Sequence, residues 1–193
     1  MGILAVGILF SLGVWKLVQT VNLNPFHTVG EEIDSLDGVT VYFNGGVNNV
    51  EERNVAGTYN LGLKYQCVEF VKRYYYQHYG HKMPDAYGHA KSFFDPAIAD
   101  GKYNAQRDLF QYVNPSAKRP EKGDLLVFGA SWFNPYGHVA IISEVQENSI
   151  EIIQQNAGPF SSSRENFELI LDKEEKWEIL ERRVLGWLRK EER

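Results

Sequence analysis

Cysteine is almost missing: the 193 residues hold one, Cys67. A single thiol excludes an intramolecular disulfide and a thiolate zinc site. It leaves three uses: a small buried hydrophobe, a free surface thiol, or a nucleophile. A basic surplus is missing too. The chain has 20 Lys plus Arg against 25 Asp plus Glu, a net charge of -5. That argues against a general nucleic-acid binder. The five histidines are scattered and no carboxylate cluster has ligand spacing, so no metal or other cofactor is indicated. Internal repeats and low-complexity segments are absent. What is present is 44% hydrophobic and 13% aromatic residues, enough to fill the core of one domain with some chain to spare.

The spare chain lies first. Ile3 to Trp15 carries no charge, a length that suits a signal-peptide core. If Lys16 snorkels, residues 1–23 also suit a short membrane helix, and a buried N-terminal helix is the alternative. No Ala-x-Ala site follows, and the absence of early Lys or Arg leaves the segment unoriented. The expectation is a membrane-anchored or exported cell-envelope protein, with a cytoplasmic one as the alternative. Residues 24–36 read as a polar, acidic connector, and residues 37–190 as the folded domain.

Within that domain, Gly38–Phe43 is β-branched and aromatic and reads as a strand ending at Asn44-Gly45-Gly46. Val47–Asn60 reads as irregular. Tyr65–Tyr79 is the strongest helix, with Cys67, Phe70, Val71, Tyr74, Tyr75 and His78 at three- and four-residue spacing and Gly80 as its stop. His89–Phe94 suggests a short helix and Ala105–Tyr112 another. Leu125–Phe128, Gly137–Val145, Ile150–Asn156, Trp177–Leu180 and Val184–Leu188 read as strands. Helices first and strands afterwards point to an antiparallel α+β domain.

Cys67 falls in the first turn of the main helix, where unpaired N–H groups and the helix dipole favour a thiolate. The N–H groups of Gln66 and Cys67 are candidate oxyanion donors. A small core residue is the competing reading. A thiol nucleophile needs a base. His78 and His81 lie roughly 16 Å away at the far end of the helix. His138 opens an apolar strand directly after a glycine and is the candidate, although a solvated strand-end histidine would look the same. His138 and Gln154 share a strand face if a three-residue loop, Gln146-Glu147-Asn148, pairs Val145 with Ser149. Asn156 then lies opposite His138, Gln154 lies diagonal to it, and Glu151 falls on the wrong face. The orienting partner should therefore be an amide. Lys72 and Arg73 could meet a substrate carboxylate or be solvated cations. Glu69 is placed to pair with Arg73.

Three segments together carry a resemblance: Tyr65-Gln-Cys-Val-Glu-Phe-Val-Lys-Arg73, Tyr136-Gly-His-Val-Ala-Ile-Ile142 and Ile153-Gln-Gln-Asn156. With Gly123–Phe128 and Leu185–Leu188, they resemble a CHAP domain (cysteine, histidine-dependent amidohydrolase/peptidase) over about residues 37–190. The amidase half of glutathionylspermidine synthetase/amidase is similar. The resemblance implies a papain-like fold with the cysteine helix packed on an antiparallel sheet. It implies Cys67 as nucleophile, His138 as base, and Gln154 and Asn156 beside them. The family commonly has Glu where this chain has Gln154, whose amide could still accept the Nδ1–H bond. The implied substrate is a small peptide-amide conjugate such as glutathionylspermidine, or a peptidoglycan peptide. The alternative is a non-catalytic module that binds peptide or cell wall.

Overall fold

The computed structural model describes residue 13, residues 16–85 and residues 87–191. Most of the apolar segment 1–23, read as an anchor or signal, lies outside them. Among the described residues no helix is long and apolar enough to cross a membrane.

Two small hairpins precede the main helix. Strands β1 (Glu32–Leu36) and β2 (Val39–Tyr42) pair antiparallel, as do β3 (Arg53–Ala56) and β4 (Tyr59–Leu63). Strand β2 falls within Gly38–Phe43, as the sequence suggested, but β1 lies in the expected connector and β3 in the stretch read as irregular. The reason is turn chemistry. Leu36 pairs with Val39 across Asp37-Gly38, which take φ of 49° and 82°. Positive φ at both turn residues matches the twist of flanking strands, and Asp-Gly supplies it at little cost.

Helix α1 follows (Cys67–Tyr79) and ends on Gly80 in the left-handed conformation. Residues 90–93 form a single 3₁₀ turn. The remaining strands are β5 (Lys102–Asn104), β6 (Leu109–Val113), β7 (Leu125–Phe128), β8 (His138–Val145), β9 (Ser149–Ile153), β10 (Arg164–Leu171), β11 (Trp177–Ile179) and β12 (Val184–Arg189). They form one antiparallel sheet in the order β11-β10-β9-β8-β7-β12-β6-β5. The helix expected over Ala105–Tyr112 is instead a turn leading into β6, which is paired on both sides, by β5 and β12. Cross-strand pairing overrides a weak helical pattern here.

The sheet is apolar on both faces. Leu125, Val127, Val139, Ile141 and Ile153 point one way and join Phe70, Val71, Tyr74 and Tyr75 of α1 in one core. Leu126, Phe128, Ala140, Ile142 and Ile152 point the other way and pack with Tyr112 and Trp187. Alternation along β7, β8 and β9 produces this division. Burying both faces explains why these strands read as continuous apolar runs rather than alternating ones.

Candidate active site

The first turn of α1 sits over the start of β8. Gln66 caps the helix with extended backbone and no side-chain cap bond. The Cys67 sulfur consequently has three backbone N–H groups within reach: its own, that of Val68, and that of Val139 on β8. Val139 directly follows His138, so the chain places the thiol and the imidazole at one end of the sheet. Gly137 makes this approach possible. Its φ is 76°, and a Cβ there would lie 2.5 Å from the Phe128 carbonyl oxygen and 2.8 Å from Lys91 Cβ. Only glycine fits before the histidine.

His138 Nε2 lies 2.9 Å from Gln154 Oε1. The other end of that amide donates to the Ser162 carbonyl at 3.2 Å and to Glu165 Oε2 at 3.4 Å. Both are acceptors, so the amide oxygen must face the ring, and Nε2 must carry the hydrogen. Nδ1 is left with the free lone pair. The family resemblance suggested an amide accepting from Nδ1–H, and the structure reverses the two nitrogens.

The amide does reach the ring, but by a different hairpin from the one expected. Near the turn Val145 pairs with Ile150 rather than with Ser149, and Gln146 N–H donates to the Ser149 carbonyl at 2.8 Å. A β-bulge between Ile142 and Glu144 then shifts the register by one residue, so that Ile141 faces Ile153. The bulge restores the face that the even loop would have lost. Ser143 at the bulge is held by Glu151, through both its carbonyl and its Oε1 at 3.1 and 2.8 Å.

Gln155 and Asn156 complete a run of three amides with separate tasks. Gln155 donates to the Gln66 carbonyl and to Glu69 Oε2, both at 3.0 Å, and accepts from Tyr42 N–H at 2.8 Å. It ties the strand bearing Gln154 to the start of α1. Sequence reasoning passed over it, although it lies within Gln-Gln-Asn. Asn156 does not touch His138. Its Nδ2 donates to the Val47 carbonyl at 2.9 Å and to Gln66 Oε1 at 2.8 Å. Its backbone is left-handed, with φ of 60°, which turns its side chain away from the position opposite the ring. Asn156 is a brace, not a contact of the imidazole.

Two clefts meet at Val47, Asn134 and Asn156. One, of about 480 Å³, is lined by Cys67, Gln66, Arg53, His89 and Tyr136 among others. The other, of about 530 Å³, is lined by His138, Gln154, Glu165 and Arg183 among others.

The CHAP domain family model matches residues 57–156, just over half of the chain. The chain belongs to the CHAP domain family. Trypanothione synthetase of Crithidia fasciculata is 30% identical over 105 residues, 54% of this chain and 16% of that protein. Bifunctional glutathionylspermidine synthetase/amidase of Escherichia coli is 34% identical over 98 residues, 50% of this chain and 16% of that protein. The match thus spans about a sixth of these curated relatives. Among solved structures, Ly7917 aligns with 51% of this chain and 40% of its own at 22% identity, with a TM-score of 0.31.

In this CHAP domain the electrostatics differ from a preformed thiolate. Cys67 is 8% exposed. Burial pushes its thiol up to about 11, against the three N–H groups that would lower it. Burial likewise pushes His138 down to about 4, against the bond from Gln154 that would raise it. Withdrawal from water outweighs the helix terminus. The resting pair is therefore S–H and neutral imidazole, not thiolate and imidazolium. No hydrogen bond joins the sulfur to the ring among the described contacts.

Three further expectations are corrected. The Gln66 backbone N–H already donates to the Leu63 carbonyl at 3.2 Å, so it is not free for an oxyanion. Lys72 is not solvated and lines neither of the two clefts. It is 1% exposed, donates to the Asn60 carbonyl and lies 4.8 Å from the Tyr59 ring centre. Arg73 is buried as well. It binds Glu69 Oε1 at 2.6 Å and the Thr40 carbonyl at 2.7 Å, and stacks over Tyr42. The expected Glu69–Arg73 pair is present, but it is an interior pair that braces α1. Among the described residues no group of three or more His, Cys, Asp or Glu could hold a metal ion.

Proposed function

We propose that this CHAP domain is a cysteine amidohydrolase that cleaves an amide in a small peptide conjugate or a peptidoglycan peptide, through a thioester on Cys67. The observation that carries the reading is the junction of α1 and β8. The Cys67 sulfur faces the Val139 N–H, and the preceding residue, His138, is oriented by Gln154. The names of the relatives favour a polyamine-conjugated peptide such as glutathionylspermidine as the substrate.

The chemistry follows from the neutral resting pair. His138 Nδ1 takes the thiol proton as Cys67 sulfur bonds to the amide carbon. The C–N bond then breaks, and the same proton passes from His138 to the departing nitrogen. Water attacks the thioester while His138 takes its proton. The S–C bond breaks, the proton returns to sulfur, and a carboxylic acid leaves. Gln154 holds the ring's Nε2–H throughout, so Nδ1 stays the working nitrogen. An amide stabilises the transient imidazolium less than a carboxylate would. The Cys67 and Val68 N–H groups, which lie at the sulfur, serve as the oxyanion donors in this reading.

Incubation of the full chain with glutathionylspermidine and with muropeptides tests the reading. Amine or peptide release by the native chain, lost in Cys67→Ala, is expected. Release from neither substrate would remove both substrate proposals. Cell-envelope placement through residues 1–23 belongs to the same reading, and fractionation of cells expressing the chain with and without that segment tests it.

A further inference from the structure

We infer that Arg53 is an anion-reading group in the Cys67 cleft, so that the acyl half of the substrate carries a carboxylate. This deepens the amidase reading and rests on it. The acyl group becomes bonded to the Cys67 sulfur, so it must occupy the cleft that Cys67 lines. The departing amine takes its proton from His138 and leaves by the adjoining cleft. The acyl-side cleft is lined by neutral side chains apart from Arg53 and the titratable His89.

Arg53 opens β3 and is exposed. Its Nη1 donates to Asn60 Oδ1 at 3.0 Å, which fixes one edge of the guanidinium. Among the described residues no carboxylate pairs with it. Of the nearby cations, Lys64 is matched by Glu52 at 2.5 Å, and Lys72 is buried against Asn60, which both it and Arg53 contact. The register of the hairpin holds Arg53 in place, because it faces Leu63 on β4, which lines the same cleft. A planar guanidinium with free N–H groups matches a carboxylate in two-point geometry. Arg53 therefore takes the role that the sequence gave to Lys72 and Arg73, whose charges the fold has buried.

The single cysteine allows a test that needs no turnover. Iodoacetate and iodoacetamide both alkylate Cys67, the sulfur bonding to the methylene carbon as iodide leaves and the thiol proton passes to solvent. They differ in carrying or lacking a carboxylate. In the full chain at low salt, Arg53→Gln is expected to slow iodoacetate about fivefold while changing iodoacetamide less than about twofold, and added salt should shrink the difference. Arg53→Lys should keep most of the iodoacetate rate. Equal slowing of both reagents, or an unchanged ratio, overturns the assignment. The ratio is readable even if no amide is hydrolysed, so its failure is distinct from failure of the amidase reading.

Discussion

Gln154→Glu would place a carboxylate against His138 Nε2, where the family commonly has one. Glu165 opposes the ionisation of that carboxylate. Gln154 Nε2 now donates toward Glu165 Oε2 at 3.4 Å and to the Ser162 carbonyl at 3.2 Å. A carboxylate at 154 would turn both contacts into facing acceptors. A carboxylate bonded to a histidine typically raises its pKa by about 1–3 units. Two carboxylates about 3.4 Å apart repel by about 1 kcal/mol in water and about 5 kcal/mol at an effective dielectric of 20. Glu165 is exposed, so the lower end applies: about 1–2 kcal/mol, or roughly one pKa unit. Titration of the His138 ring and of the carboxyl at position 154 by NMR reads the effect. His138 should rise from its depressed value in Gln154→Glu. Adding Glu165→Gln removes the repulsion, so the carboxyl at position 154 should titrate roughly one unit lower, while His138, with one nearby negative charge fewer, should rise no further. Identical titrations of the carboxyl at position 154 in the single and double variants would refute the reasoning, since Glu165 would then not sense position 154.

Other consequences follow from the buried groups. Arg73→Ala leaves Glu69 buried without its cation, so a loss of about 3–5 kcal/mol in urea unfolding is expected, with KM unchanged in the folded fraction. His138 is held below its ordinary value by burial, to about 4. The unfolded chain therefore takes up that proton first as pH falls. The stability this ring allows is complete above about pH 6.5 and is lost between about 6.5 and 4. Comparison of the native chain with His138→Gln across that window should show about 1–3 kcal/mol less acid sensitivity in the variant, the lower end reflecting the ring's open edge to the cleft. Gly186→Ala would set a Cβ 2.0 Å from the Tyr112 carbonyl oxygen, where φ is also 156°, so the β12–β6 pairing should fail and the thermal midpoint fall.

What the sequence made legible was periodic or punctuated. Helix α1 stood out through Phe70, Val71, Tyr74 and Tyr75 on one face and Gly80 at its end. Strands β7, β8 and β12 stood out as apolar runs. Strand β2 stood out as a β-branched, aromatic run, but its partner β1 and the strand β3 did not, because both are short and polar and only turn residues mark them. Gln154 reached His138 as the sequence suggested, but through a bulge at Ser143 that no spacing rule reveals. The charge states were the least legible. Helix position argued for a thiolate at Cys67, while the depth of its pocket, a tertiary property, argues for a thiol. Lys72 and Arg73 show the same limit. The sequence left them as solvated cations or contacts of a substrate carboxylate, but hairpin β3–β4 and the β2 backbone cover them.

The most direct test of the central claim is to catch the intermediate. The full chain is mixed with glutathionylspermidine, quenched in acid during turnover, digested and weighed peptide by peptide. The account predicts the mass of the acyl half on the peptide containing Cys67, and no such adduct or product with Cys67→Ala. Product release that persists in Cys67→Ala, or an acyl adduct on any other residue, would contradict it.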